Sequence, residues 1–323
     1  MRGLCLFLAA GVVAGQDAPR AVEKSLALLQ SSGPPFVDKS GCISCHHQSI
    51  AAMAVAVARQ RGLKVSDSIA RQQLKFTAAV FSPHRTNLLQ GINTVPEAPM
   101  VSSYALLGMA AEGYPADAVT DAMVLDLARK QRGDGSWRNN DRRVPLGYSD
   151  FSATALSLEA LRLYSIPGRR QEFDERVAHA RRWLLAANPG STEEQAFRLL
   201  GLGWSKAPPA DVRKAVVQLA VGQRGDGGWA QLASLTSDAY ATGQALVALY
   251  QGGAMPASDA VYARGVRYLL GAQLPDGSWH VRSRAMGFQP YFESGFPHGQ
   301  DQWISAAATS WAAMALALTL PGR

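Results

Sequence analysis

Charge is sparse in this chain and nowhere clustered. Acidic and basic residues make up 18% of its 323 residues, and the net charge is +7. The arginines fall only in short pairs such as Arg142-Arg143, Arg169-Arg170 and Arg181-Arg182. No basic stripe with interleaved aromatics exists, which excludes a nucleic-acid grip and leaves a solvated surface. With hydrophobic residues at 47%, disorder is excluded as well. Cysteine is scarcer still, at three residues. Cys5 lies in a segment that reads as a secretory leader: Arg2, an apolar run from Leu4 to Val13, then Ala14-Gly15 before Gln16. Loss of residues 1–15 would leave a single domain, 16–323, exported to a periplasmic or extracellular space with only Cys42 and Cys45. The segment from Trp303 is the one later run long and apolar enough to raise a membrane span. Ser305, Thr309 and Ser310 interrupt it, so a buried helix is expected and no stable span.

The two retained cysteines stand in Gly41-Cys42-Ile43-Ser44-Cys45-His46-His47-Gln48. The spacing C-x-x-C-H can attach a haem edge through two thioethers, with His46 on the iron. Covalent haem c is the first expectation, and it implies a redox partner. Met53, Met100, His47 and His298 are the candidates for a second axial ligand. Three other readings stay open. One is a Cys42–Cys45 disulfide. Another is zinc or a similar metal on the two thiols with His46 or His47. The last is a thioester, since Cys45 and Gln48 share the i, i+3 spacing of the C-G-E-Q segment that this stretch resembles in complement-like thioester domains.

Repeats define the fold. Gln131-Arg-Gly-Asp-Gly-Ser-Trp137, Gln223-Arg-Gly-Asp-Gly-Gly-Trp229 and Gln273-Leu-Pro-Asp-Gly-Ser-Trp279 nearly copy one another. An amphipathic pattern precedes each, most clearly Val212, Ala215, Val216, Leu219 and Ala220 on one helical face. A helix apolar nearly all round follows each: Phe151 to Tyr164, Asp238 to Tyr250, and Ser305 to Leu320. Gly133 and Gly225 suit the left-handed position that ends a helix. A degenerate unit, Glu175 to Ala187 with Glu193 to Leu202, falls between the first two. Upstream, Val22 to Gln30 pairs with Gln48 to Arg59, and Ser66 to Val80 with Ser102 to Glu112. Six hairpins result, enough to close into a two-layered ring.

The Q-x-x-D-G-S-W segments resemble the QW repeats of squalene–hopene cyclases and the repeats of protein prenyltransferase β subunits. The resemblance covers Ala118 to Leu320 and implies an all-α fold, the α/α toroid. In that family the Gln and Trp are structural, which gives Gln131, Trp137, Gln223, Trp229, Gln273 and Trp279 the same part here. An apolar, isoprenoid-like ligand in the hollow is implied too. The chain departs from both chemistries, however. No D-x-D-D segment is present to protonate an alkene, and the later helices hold no cysteine for a prenyltransferase zinc.

The first hairpin aligns with the later ones through Gln30 and Phe36, which share the +6 offset of Gln131 and Trp137. Parallel inner helices would gather Cys42, Cys45, His46, His47, Asp150, Asp238, His298 and Asp301 at one mouth of the ring. Asp150 and Asp238 read as cavity acids or as helix N-caps. Asp301 is less regular and a better catalytic candidate. The aromatic stretch from Phe288 to Gly299 reads as a pocket wall or a satellite core, with Glu293 and His298 an acid/base pair by type. His84, His179 and His280 read as surface or turn residues. Three functions follow: a haem-bearing redox protein acting on an apolar substrate, a non-redox isoprenoid cyclase or transferase, and a non-catalytic apolar-ligand or thioester-type binding protein.

Overall fold

A computed structural model of the chain describes residues 9–93, 95, 98–139, 143–287 and 290–322. Cys5, Arg142, Phe288 and Gln289 lie outside these. The described residues form six helical hairpins, each an outer helix followed by an inner one. They are α1 (Ala9–Ser40) with α2 (Ile50–Gln60), then α3 (Asp67–Phe81), a short α4 (Arg85–Leu89) and α5 (Ala98–Ala111). Next come α6 (Ala118–Lys130) with α7 (Asp150–Leu163), and α8 (Arg170–Ala186) with α9 (Thr192–Trp204). The last two are α10 (Pro209–Val221) with α11 (Ala239–Val247), and α12 (Ala260–Ala272) with α13 (Gln302–Ala317). Helix starts follow side-chain chemistry. Capping boxes open α6 through Asp117 and Thr120, and α9 through Ser191 and Glu194.

The inner helices pack in order, α2 on α5, α7, α9 and α11 in turn, then α13, which returns to α2. The ring is therefore closed. Its core is built from the apolar inner helices, and every described side chain of α13 from Ile304 to Ala317 is buried. Among the described residues no helix is long and apolar enough to cross a membrane. The stretch from Trp303 is buried by its neighbours instead, and Ser310 bonds its own helix at Ala306 O, 2.9 Å away.

The three Gln-to-Trp segments hold successive hairpins together by one repeated set of bonds. Gln131 Nε2 donates to Gly135 O and, on the next outer helix, to Arg176 O. Gln223 does the same with Gly227 O and Val261 O. Gln273 reaches Gly277 O and Ala21 O, tying the last hairpin to the first. The indole N–H groups of Trp137, Trp229 and Trp279 donate to Leu127 O, Leu219 O and Leu269 O. Their backbone N–H groups donate to Thr154, Thr242 and Thr309 on the inner helices. Outer helix, turn, inner helix and neighbour are thus joined through one motif. Thr242→Val leaves the buried Trp229 N–H without its 2.9 Å acceptor. A loss of about 1–3 kcal/mol is expected, read as a lower urea midpoint at unchanged slope.

Two expectations need correction. The left-handed residues of the turns are Gly135, Gly227 and Gly277, not Gly133 and Gly225. Each sits against the next outer helix, where a Cβ would lie within 2.6–2.8 Å of backbone atoms of His179, Arg264 or Lys24. The stretch from Gln30 to Phe36 is also no turn, but part of α1, which continues through Pro34 and Pro35 to Ser40. The reason is local. Pro34 occupies the place of the left-handed glycine, and its fixed negative φ forbids that turn. Gln30 instead exchanges two 2.8 Å bonds with the Ser66 backbone.

Candidate functional site

The inner helices all begin on one side of the ring, where residues 143–148, 283–287 and 290–292 border its openings. Two cavities open there. The larger, about 320 Å³, is lined by Phe36, His46, His47, Arg143, Phe292, Asp301 and Trp303, among others. The smaller, about 120 Å³, is lined by Glu193, Tyr240 and Gln244 with Pro145, Tyr148 and Arg284 above them. Residues 143 and 283 border the first and residues 144 and 284 the second, so the two cavities flank one loop contact.

The cysteine segment is placed at this mouth as its sequence position implies, in a π-helical turn, Cys45–Ser49, that feeds α2. Ser44 caps the turn by accepting from His47 N. Gln48 Oε1 accepts from Ser44 N and Ser44 Oγ, and its Nε2 donates to Gly33 O. The carboxamide that a thioester would consume is therefore committed to the local turn. Cys42 is exposed and Cys45 buried, and neither lines the cavity beside His46. Cys45 belongs to the main core and its charge would act on Tyr104 of α5. This arrangement does not offer a haem two sulfurs and His46 on one wall, so covalent haem does not fit it. His47 cannot be an opposite axial ligand either, because its Nδ1 lies 2.5 Å from His46 Nδ1. Met100 is buried with its sulfur 3.7 Å from the Asn139 amide, and His298 is bonded to Ser278. Among the described residues no three His, Cys, Asp or Glu groups converge as metal ligands would.

Both histidines are buried and neutral. Burial, then His47 and Arg143, hold His46 well below the ordinary imidazole range, and burial pushes His47 down to about 3. Phe36 stacks on His47 at 4.5 Å between ring centres.

The acidic candidates divide. Asp238 is the N-cap of α11, accepting from Ala241 N at 2.9 Å, and burial raises its carboxyl to about 6. Asp150 is not a cap. Ser149 takes that place, and Asp150 accepts instead from Asn139 N in the covering loop. Asp301 bonds His280 Nε2 at 2.7 Å and Ser283 N at 2.7 Å. His280, read as a plain turn residue, is thus a partner of Asp301. Glu293 and His298 are not a pair. Glu293 is exposed and bonded to Tyr291, whereas His298 stacks on His280 and contacts Ser278 Oγ. The aromatic loop serves both expected ends, with Tyr291 and Phe292 lining the cavity and Phe296 in a satellite core with Leu29, Ala51 and Ala306.

Glu193 of α9 was missed as a site residue. Its carboxyl is buried, and desolvation raises it to about 8 against the opposing effect of Ser152. It therefore carries its proton at neutral pH. Several buried polar atoms of the inner helices have no partner among the described residues: Glu193 Oε1, Tyr104 Oη, Gln244 Oε1, Ser102 Oγ and Trp311 Nε1. After burial, the charge of Glu193 raises both Tyr104 and Tyr240, and Gln244 donates to Tyr240 Oη at 3.1 Å. Buried polar atoms normally find partners, so these orphans set the inner helices apart from an ordinary apolar core. The signal in sequence was one acid, Glu193, on an inner helix whose other inward positions are apolar.

No family model and no curated protein sequence matches the chain. Solved structures do match in fold. The type II terpene cyclase MstE from Scytonema, in complex with merosterolic acid A as product, superposes with a TM-score of 0.60 at 15% identity, over 95% of this chain and 98% of that one. The same enzyme with its substrate geranylgeranyl dihydroxybenzoate gives 0.60 at 13% identity, over 95% and 98%. An ent-copalyl diphosphate synthase from Streptomyces platensis gives 0.55 at 19% identity, over 84% of this chain and 50% of that one. At these identities the likeness establishes the fold. The chain is an α/α toroid of the kind seen in type II terpene cyclases.

Proposed function

We propose that the chain is a non-redox, cyclase-like enzyme that protonates an apolar, isoprenoid-like molecule at the centre of its ring, with Glu193 the proton donor. The observation that carries this reading is the neutral, buried Glu193 carboxyl among orphaned polar atoms of the inner helices. The solved cyclases of the same fold act on isoprenoid chains, which supports the substrate class. The leader-like residues 1–15 support action outside the cytoplasm.

In the proposed step the Glu193 O–H bond breaks and a C–H bond forms at one alkene carbon. Positive charge then develops on the other carbon, beside the ring of Tyr240, which lines the same cavity and whose π face stabilises a cation. The Glu193 carboxylate left behind is the base that removes a proton from the product cation and restores the acid. The cavity of about 120 Å³ beside Glu193 is below the roughly 300 Å³ of ordinary ligand sites, so a short prenyl unit fits the reading better than a long chain. Purified protein incubated with a C5–C10 prenyl alkene in deuterated water should incorporate deuterium at carbon. Glu193→Gln should reduce incorporation by about 100-fold or more. Equal incorporation by both proteins, or none by either, contradicts the proposal.

A further inference from the structure

The larger cavity carries an inference of its own, which starts from the proton positions of the histidine pair. Gln302 is fixed first. Its Oε1 accepts from Ser294 N at 2.9 Å and its Nε2 donates to Phe292 O at 2.6 Å, so two backbone groups forbid the flipped amide. Facing that oxygen at 2.5 Å, Ser294 Oγ must be the donor. The serine oxygen then has only lone pairs to offer, and it accepts from Phe296 N at 3.2 Å and from His47 Nε2 at 2.9 Å. His47 thus carries its proton on Nε2, which leaves its Nδ1 as an acceptor. The 2.5 Å contact between the two Nδ1 atoms requires the proton to sit on His46 Nδ1. Ser44 Oγ, 3.4 Å from the same nitrogen, is compatible because it too has a lone pair to give. His46 Nε2 is left bare. It has no hydrogen-bond partner among the described residues, and it is not among the fully enclosed orphan atoms.

His46 lines the cavity of about 320 Å³, whose walls include Phe36, Phe292, Tyr291 and Trp303. At about 320 Å³ the cavity has room for a substituted ring, with aromatic side chains on one part of its wall and Ser283, Asp301 and Gln302 on another. Arg143 lies 5.1 Å over the Trp303 ring, and Asp301 stands on the same lining, so the aromatic wall is edged by groups of both signs. A ligand that fits must present an aromatic face to the walls and a hydrogen-bond donor to His46.

We propose that this cavity binds a small aromatic molecule of the phenol class, its hydroxyl donating to His46 Nε2 and its ring held by Phe36, Phe292 and Trp303. The site is separate from Glu193 and does not depend on the protonation chemistry proposed for the ring centre. A ligand that displaces water from this nitrogen must replace the water's O–H with a donor of its own, or leave the nitrogen unpaired.

The test uses the full chain with phenol and with fluorobenzene, which matches its shape but cannot donate. Tryptophan fluorescence should report phenol binding about tenfold tighter or more. Equal binding of the two, or binding of neither, overturns the proposal. His46→Phe keeps ring volume and should abolish the preference, whereas Glu193→Gln should leave it intact. A preference that survives His46→Phe, or that falls in Glu193→Gln, also overturns it. Nitrogen-15 shifts of His46 in the unmodified chain should show a protonated Nδ1 and a bare Nε2. The reverse tautomer removes the acceptor and the proposal with it.

Discussion

Glu193→Gln is expected to flatten the decline in stability that the native chain shows between pH 6.5 and 8. The sign follows from the direction of the perturbation. A carboxyl raised from 4.5 to about 8 keeps its proton in the folded chain after the unfolded chain has lost it. Its contribution is therefore fully present below pH 4.5, falls as pH rises through the window, and levels off above about 8. The whole window amounts to on the order of 5 kcal/mol. Asp238, raised to about 6, acts with the same sign between 3.8 and 6. The buried histidines act oppositely: with His47 lowered to about 3, stability is lost as pH falls below 6.5. Between 6.5 and 8 the Glu193 effect stands apart, and the native chain should lose about 2 kcal/mol there. Urea midpoints across that range check it. Parallel slopes in the two proteins would show that Glu193 is ionised when folded, and the proton donor would be lost with it.

Gly277→Val should open the ring at its seam. Gly277 has a φ of +90°, and a Cβ there would lie 2.8 Å from the Lys24 backbone in α1. Left-handed strain alone costs about 1–3 kcal/mol. Displacing α1 also disturbs the bonds of Ser25 Oγ and Gln273 Nε2 to Gly277 O. A total loss of about 3 kcal/mol or more is expected, with amide exchange quickening in α1 before other outer helices. Gly133→Ala is the control, because its added Cβ meets nothing within 4 Å. It should be close to neutral. If both substitutions cost the same, the Gly277 contact does not close the ring.

The hairpins were legible because their signals are local. A 3.6-residue apolar period, caps such as Asp117 and Ser191, and an Asp-Gly pair before each tryptophan act within a few residues. The same locality explains the failure at Gln30 to Phe36. The +6 offset matched, but Pro34 cannot adopt the glycine conformation that makes the offset a turn.

The cysteine segment shows the limit of motif reading. The segment stands before an inner helix, and His46, His47 and Asp301 line one cavity. Its side chains did not follow from the pattern, since Cys45 turns into the core while His46 faces the cavity wall. Glu293 and His298 likewise lie five residues apart but are bonded to different partners.

The amino-acid order alone determined the number of two-helix units, their sequence along the ring and the residues that fasten them, because each rests on backbone preferences and burial periodicity. Only the closed tertiary structure decided which side chains meet. The surroundings that set Glu193 and His46 Nε2 are built from residues remote along the chain, such as Tyr240 for the first and Ser294 for the second. Desolvation and tautomer choice depend on distance in space, which no local pattern encodes.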